Sequence, residues 1–297
     1  MNKIYGFGNA LIDIEINIDE KDLKDINIKK GGMKHISKEE LDDFLTQYST
    51  RIKSRMPGGS IANSLYAANQ NGSSIHFSCS IGDDDYGDYF INSFNNNKKI
   101  ITYQRSKIST GICLIFITED GQRTMASNLG ANLELGPEVL NTDQLKNSDY
   151  LLFDNFSLSS SDGLKTVIAA LRENNKAKIC FGISDESLVM ENIEYLKWLS
   201  QNKVDLVYGN TNEVSKLKKE LPNFKSNILE TNGEQGASYN DTAVPAPRIE
   251  IVNSNGAGDA LIGTFLALKD QYKAPKALSI AVGYASRVCK VNGPRLQ

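Results

Sequence analysis

The chain has 297 residues, enough for one large α/β core, and its 40% hydrophobic and 23% charged residues are typical of a globular protein. Its formal net charge of −3 argues against nucleic acid or an anionic membrane surface as a partner. No apolar run is long enough to span a membrane and no signal-peptide pattern is present, so the sequence predicts a cytoplasmic protein with no membrane partner.

The cysteine and histidine content limits the chemistry available. Cys79, Cys113, Cys180 and Cys289 are scattered and form no C-x-x-C pair, which favours buried free thiols over a redox or metal role. The two histidines are too few for a His-rich metal centre and argue against a Ser-His-Asp triad.

Strand-like and helical patterns alternate along the chain. The strand-like runs are residues 4–8, 74–80, 150–153, 178–181, 204–208 and 227–230, and the helical patterns are residues 60–70, 161–174, 212–220 and 260–269. This alternation predicts a mostly parallel sheet covered by helices on both faces, with ligands bound at the carboxyl ends of the strands.

Two further runs, residues 12–18 and 111–118, read as period-2 strands outside this rhythm. The alternation of isoleucines with polar residues in the first run predicts a strand with one packed face and one face in water. A small separate sheet and an edge extension of the main sheet are both compatible with these patterns.

The first candidate site residues surround the strand-like runs of the N-terminal third. Gly58 and Gly59 allow a ligand to approach the main chain, and Asn63 lies one turn after Gly59 on the same face of the predicted helix. The Asn63 amide can donate and accept, which suits sugar hydroxyls. Asp13, which follows Asn9 by four residues, can accept from two adjacent hydroxyls. The competing interpretations are a solvated helix start, a turn residue and a surface charge.

A second group of candidates follows two later strand-like runs. Asn210 and Glu213 come at a strand end, where nucleotide phosphates bind in parallel sheets, although a helix cap with an acidic first turn fits equally well. Thr231, Gly233 and Gly236 form a strand-to-turn element that would by itself be a hairpin.

The most informative segment is Asn253-Ser254-Asn255-Gly256-Ala257-Gly258-Asp259, which runs into an apolar helix. The two glycines let consecutive N–H groups point one way, and the helix adds the positive end of its dipole. We therefore predict an anion hole formed by Gly256, Ala257 and Gly258, with the Asp259 carboxylate at its rim. Such a carboxylate can take the proton from a hydroxyl that attacks a terminal phosphoryl group. The alternative is a helix start whose Gly and Asp serve as turn and cap.

Together these motifs resemble the signatures of the ribokinase-like (PfkB) carbohydrate and nucleoside kinases. The matching segments, in the family's order and at roughly its spacing, are residues 57–64, 210–213, 231–236 and 255–259. The resemblance covers nearly the whole chain and implies one ribokinase-like α/β/α domain over residues 1–297. It also implies a small β-sheet lid, inserted from about residues 12–36 and 100–127, which would close over the substrate and exclude water.

The resemblance further implies ATP-dependent transfer of the γ-phosphoryl group to a primary hydroxyl of a sugar or nucleoside. In that scheme Asp259 is the base, Asn9 and Asp13 hold ribose-type hydroxyls, Glu213 orients Mg²⁺ through water, and Asn210 and the segment 231–236 lie at the nucleotide. Arg123, after the second lid strand, would clamp phosphate oxygens or be a solvated hairpin residue. Asn253-Ser254 departs from the family's Asp-Thr, which leaves activation by K⁺ in doubt.

The substrate is less well determined by the motifs. Residues 8–14, 60–64, 123–125 and 129–133 look closer to the adenosine-kinase-like branch, so a purine nucleoside is expected ahead of ribose- or fructose-type sugars. A base would need an aromatic slot, for which Phe116, Phe153 and Phe156 are candidates.

Three alternatives concern the class of protein and its assembly. The chain contains no P-loop motif, and a dinucleotide fold fails at Leu11, where the third glycine of that fingerprint is missing. A non-catalytic ligand-binding relative stays open. The lid strands allow either a monomer or a homodimer that pairs lid to lid.

Overall fold

The computed structural model describes residues 1–94 and 100–296. The strands are β1 Lys3–Phe7, β2 Leu11–Asn17, β3 Met33–His35, β4 Ile52–Gly58, β5 Ser74–Gly82, β6 Ile101–Ser106, β7 Gly111–Ile117, β8 Arg123–Asn128, β9 Tyr150–Asp154, β10 Lys178–Gly182, β11 Leu206–Asn210, β12 Asn227–Thr231, β13 Ala237–Tyr239 and β14 Thr242–Val244. The helices are α1 Glu20–Ile26, α2 Lys38–Gln47, α3 Ser60–Gln70, α4 Asp85–Asn92, α5 Thr142–Lys146, α6 Ser161–Glu173, α7 Glu186–Glu191, α8 Ile193–Gln201, α9 Thr211–Glu220, α10 Ala257–Leu268 and α11 Ala274–Val288.

The large sheet is mostly parallel, as the alternation of patterns predicts. Across the described residues its order is β14-β13-β12-β11-β10-β9-β1-β5-β6, and only the pairs made by β13 and β14 are antiparallel. The order reverses at β1, which lies between β5 and β9, so the chain builds the sheet outward in both directions from its first strand.

Alternating side chains of the central strands pack into two different cores. On β1, Tyr5 and Phe7 join the core formed with α6, α8 and α9, whereas Ile4 joins the core formed with α3, α10 and α11. On β9, Leu151 and Phe153 face the first core, and Tyr150 and Leu152 face the second. The result is a three-layer α/β/α arrangement. No helix in the described part of the chain is long and apolar enough to cross a membrane.

The small sheet has the order β3-β8-β7-β2-β4, which differs from the predicted lid insertions at two strands. Residues 101–106, inside the expected insertion 100–127, form β6 of the large sheet and pair with β5 in parallel, with Ile101 buried in the core. Residues 52–58, outside the expected insertion 12–36, form β4 at the edge of the small sheet. Pro57 in β4 is compatible with an edge position because an edge strand tolerates a missing ladder donor.

The prediction of one wet face on the first period-2 strand is wrong. Asp13 and Glu15 of β2 are buried, 7% and 1% exposed, because this face of the small sheet packs against the main domain, whereas Asn17, the last residue of the strand, is exposed. Its apolar face is covered by α2, where Phe44 packs edge-on against Phe116 of β7. Cys79, Cys113 and Cys180 are buried free thiols, as predicted, whereas Cys289 is a free thiol that is only half-buried.

Candidate active site

The predicted anion hole lies at the N-terminus of α10, which begins three residues before the predicted start. Gly256 caps the helix with φ 72°, a left-handed conformation that favours glycine, and a Cβ there would lie 2.4 Å from Pro294 Cβ. Gly258, in contrast, has open space where a side chain would begin. The first N–H groups of a helix have no partner within it, although Ala257 N–H lies 3.3 Å from the Ser254 carbonyl. The turn therefore presents donors beside an open space.

Asp259 follows this turn, and its carboxylate is fixed by two side chains of α3. Ser60 Oγ donates to Oδ1 at 2.7 Å, and Asn63 Nδ2 donates to Oδ2 at 3.1 Å. Burial raises the pKa of Asp259, against the lowering effects of these two hydrogen bonds and of the Arg295 charge. A buried, oriented carboxylate of this kind can accept a proton.

The paired glycines, Asn9 and Asp13 come together at the start of α3. A Cβ at Gly58 would lie 2.2 Å from Asp13 Oδ1, and one at Gly59, which has φ 91°, would lie 2.2 Å from the Asn9 carbonyl oxygen. The lack of side chains at 58 and 59 therefore lets the β1–β2 turn and the Asp13 carboxylate approach the start of α3. The structure brings these predicted substrate residues together.

Asp13 is also linked to residues 253–258, the segment that leads into α10 and that we call the anion loop. Asn255 Nδ2 donates to Asp13 Oδ2 at 2.9 Å. Burial raises the pKa of Asp13 to about 7, with smaller raising effects from Asp259 and Glu15 and lowering effects from Asn255 and Arg295. The site therefore holds two buried carboxyl groups that disfavour each other's ionisation.

Asn210 and Glu213 form a reciprocal capping box at the start of α9. This confirms that the pair caps a helix, the alternative interpretation of these two residues. Glu213 N–H donates to Asn210 Oδ1 at 3.0 Å, and Asn210 N–H donates to Glu213 Oε2 at 3.0 Å. Glu213 nevertheless also faces a cavity with Asp259. Burial raises its pKa to about 7, helped by Asp185, Asp259 and Glu186.

Two cavities meet at the N-terminus of α10. The smaller, about 330 Å³, contains Asp259, Glu213, Phe156 and Tyr208 among its lining residues. The larger, about 890 Å³, runs from the β12–β13 turn, with Gly233 and Gly236, along the apolar side chains of α10 and α11. Both are lined by Asn210, Thr231, Gly258 and Leu261. The larger cavity has the size and apolar lining usual for a small-molecule ligand.

Arg123 lies elsewhere than the phosphate-clamp prediction implies. Its Nη2 donates to Asn253 Oδ1, its Nε is buried without a hydrogen-bond partner, and burial lowers its pKa. The Asn253 amide donates in turn to Glu15 Oε1, and its oxygen accepts from the Asn255 N–H at 2.8 Å. Arg123 thus contacts the anion loop through Asn253 and lines neither of the two cavities.

Three of the residues around Asp259 were not among the candidates. Asp154, at the end of β9, is buried, and burial raises its pKa to about 7, with Asp259 adding to the effect. The Tyr208 hydroxyl of β11 is buried without a hydrogen-bond partner. Arg295 donates from Nε to Asn63 Oδ1 at 2.9 Å. The positions of Asp154 and Tyr208 at strand ends were a usable signal, whereas nothing in the sequence pattern marked Arg295.

Of the three aromatic candidates for a base slot, Phe156 lines the smaller cavity, whereas Phe116 and Phe153 are fully buried in the cores. An aromatic face is therefore available beside Asp259 at one of these positions.

Comparisons with known proteins give a consistent class. A model described as "pfkB family carbohydrate kinase" matches residues 50–297. Adenosine kinase 2 of Arabidopsis thaliana is 23% identical over 335 residues, covering 96% of this chain and 92% of that protein. Probable fructokinase-5 of the same plant is 24% identical over 264 residues, covering 76% and 80%. The crystal structure of an adenosine kinase from Sinorhizobium meliloti superposes with a TM-score of 0.89 at 23% identity, over 99% of this chain and 96% of that chain, which confirms the predicted fold class.

Proposed function

The chain belongs to the pfkB family of carbohydrate kinases, and from this premise we propose that it transfers the γ-phosphoryl group of ATP to a primary hydroxyl of a nucleoside or sugar. One observation carries the proposal: the Asp259 carboxylate is held by Ser60 and Asn63 next to the open N-terminus of α10. A base and an anion-binding turn are thus adjacent, which is what transfer of a phosphoryl group to a hydroxyl requires.

In this proposal Asp259 takes the proton of the attacking hydroxyl. A carboxylate offers about four lone-pair positions, and Ser60 and Asn63 use two of them, so the substrate hydroxyl can still donate to Asp259. Burial raises the pKa of Asp259 toward the range in which a general base is most effective. The N–H groups of Gly256, Ala257 and Gly258 would hold the charge that builds on the transferred group.

The surrounding residues fit ATP and Mg²⁺. The 890 Å³ cavity offers apolar side chains for the base and ribose, and it ends at Gly258, where the main chain is open. Glu213 faces the adjoining cavity with its charge disfavoured by neighbouring acids, a situation that a cation relieves. Mg²⁺, when bound, supplies charge neutralisation for the phosphate groups. Among the described residues no three acidic, His or Cys side chains cluster as a metal site, so Glu213 would act through water.

A purine nucleoside is the preferred substrate in this proposal, and two observations support it. The match to adenosine kinase 2 extends over 96% of the chain, against 76% for probable fructokinase-5. Phe156 lines the cavity that also contains Asp259, so an aromatic face is available to a base. Asn9 and Asp13 would hold the ribose hydroxyls. A free sugar is the second candidate, because the fructokinase match is equally similar in identity.

The test measures ATP- and Mg²⁺-dependent ADP release with adenosine, inosine, ribose, fructose or no acceptor, each with and without K⁺. We expect turnover with a purine nucleoside and a decrease in kcat of about 10²–10⁴-fold in Asp259→Asn. Asp162→Asn is the matched control, since Asp162 is also a first-turn acid, but of helix α6. Full turnover by the Asp259 variant would contradict the mechanism, and no wild-type turnover with any acceptor would favour a binding-only relative.

A further inference from the structure

The C-terminal residues Gly293, Pro294 and Arg295 pack directly beneath the anion loop. Gly293 has φ 88°, and a Cβ there would lie 2.2 Å from Met56 Sδ of β4. Pro294 occupies the space next to Gly256 that a side chain at position 256 would need. These contacts hold the segment between the small sheet and the start of α10, and they place the Arg295 side chain against α3.

The Arg295 guanidinium is held on several sides. Nε donates to Asn63 Oδ1 at 2.9 Å, Nη1 donates to Ser93 Oγ at 2.9 Å, and the group stacks on Tyr66 and Phe94 with its carbon 5.1 and 5.3 Å from the ring centroids. Within residues 1–94 and 100–296 it has no carboxylate within ion-pair distance, and Nη2 is buried without a partner. Burial lowers its pKa to about 10, so it remains charged at neutral pH.

The hydrogen bond between Arg295 and Asn63 has a fixed direction. A guanidinium can only donate, so it orients the Asn63 oxygen toward Arg295 and leaves the Asn63 Nδ2 group toward Asp259. An amide held in this way donates to a carboxylate, and it cannot accept from a protonated Asp259 without losing the bond to Arg295. The array therefore favours the ionised form of Asp259.

The positive charge of Arg295 affects the ionisation of Asp259 because the other ionisable groups near Asp259 are acids. The titratable groups that interact with Asp259 are Asp13 of β2, Asp154 of β9, Tyr208 of β11, Glu213 of α9 and Arg295. All except Arg295 are acids. Within the described residues, Arg295 is thus the positive charge that opposes the acidic surroundings of the base.

We propose that Arg295 is a positioning residue for the proposed phosphoryl transfer, which orients Asn63 toward Asp259 and holds the Asp259 carboxyl group in its ionised, proton-accepting form. The role rests on the proposed function only in that Asp259 is the base. The effect on ionisation is a property of the folded protein and can be measured without turnover.

The first experiment is a ¹³C NMR titration of the Asp carboxyl carbons, in which Asp259→Asn identifies the signal of Asp259. Arg295→Gln removes the charge but keeps a donor for Asn63, and we expect it to move the midpoint of Asp259 upward by about one pH unit. Arg295→Lys keeps the charge and should leave the midpoint near that of the wild type. Arg287→Gln is the charge-matched control, because Arg287 is exposed on the last turn of α11.

The second experiment is the pH dependence of kcat/KM. We expect the acid limb of Arg295→Gln to move upward with the NMR midpoint, with about tenfold lower activity on the acidic side and recovery at alkaline pH. An unchanged midpoint in a folded Arg295→Gln, or an equal rise in Arg295→Lys, would overturn the proposal and leave Arg295 a packing residue. Should Arg295→Gln not fold, Arg295→Lys still tests the proposal, because a raised midpoint despite the retained charge would overturn it. Absence of wild-type turnover would refute the proposed function without affecting the NMR result.

Discussion

Replacing Gly258 by alanine separates the stability of helix α10 from its proposed role in phosphate binding. Gly258 is the second residue of α10, it lines both cavities, and an added Cβ has no heavy-atom neighbour within 4 Å. Gly283 of α11 is the matched control, because it is also helical and also has open space at its Cβ, but it lines neither of the two cavities. The two variants therefore add the same methyl group in different surroundings.

Both changes should stabilise the fold slightly. Alanine is favoured over glycine in a helix interior by about 1 kcal/mol, and somewhat less in the first turn. For a chain of this size that corresponds to an increase in Tm of about 2 °C. Gly256→Ala would behave in the opposite way, because its Cβ would meet Pro294 at 2.4 Å and its φ is 72°. Thermal unfolding of the variants measures this part.

Activity should change only at Gly258. Its methyl group would project into the space where the transferred phosphoryl group is proposed to approach the main chain, and a displacement of about 1 Å costs roughly 10²-fold in rate. We expect a decrease in kcat/KM of about that size for Gly258→Ala and wild-type values for Gly283→Ala, measured in the same ADP-release assay. Equal activity of two stably folded variants would refute the assignment of this turn as the anion hole.

Two further predictions concern pH and assembly. The pKa of Asp13 is about 7 in the folded protein against 3.8 in the unfolded chain, so the stability associated with its protonated form is complete below about pH 4 and is lost as the pH rises through 7. Asp13→Asn should therefore reduce the loss of unfolding free energy between pH 5 and 8 by about 3 kcal/mol in urea titrations, and an unchanged slope would contradict the burial argument. Because α2 covers the apolar face of the small sheet, we expect a monomer in light scattering, and a stable dimer would show that another surface pairs.

The sequence predicted best those elements that depend on local pattern. The helix expected at residues 60–70 is Ser60–Gln70. Its signal is local, because paired glycines precede apolar residues at helical spacing, and no contact with a distant segment is needed to recognise it. The position of Asp259 at the start of α10 was predicted in the same way, from glycines that precede an apolar helix. Strand β4 was missed because Ile52–Gly58 contains little apolar alternation and a proline, and its pairing with β2 is a tertiary contact.

The error on β2 has a different origin. Alternation of isoleucine with Asp13 and Glu15 is typical of a half-wet strand, but both carboxyl groups are buried against the anion loop. Asn255 donates to Asp13 and Asn253 donates to Glu15, from positions more than 230 residues away. A periodicity argument describes which side chains share a face, whereas the chemistry of that face depends on what packs against it.

Asn253 shows how a departure from the family pattern can be accommodated. Its amide group donates to Glu15 while its oxygen accepts from Arg123 and from the Asn255 N–H, so both ends of the amide are used. An aspartate here, which the family resemblance implies, would place a second carboxylate against Glu15 and cost the donor that Glu15 uses. Glu15 thus supplies the buried negative charge near Arg123 that the motif position lacks, and it does so from the small sheet. Asn253 and Glu15 are therefore best understood as one interdependent arrangement that couples β2 to the loop before the proposed base.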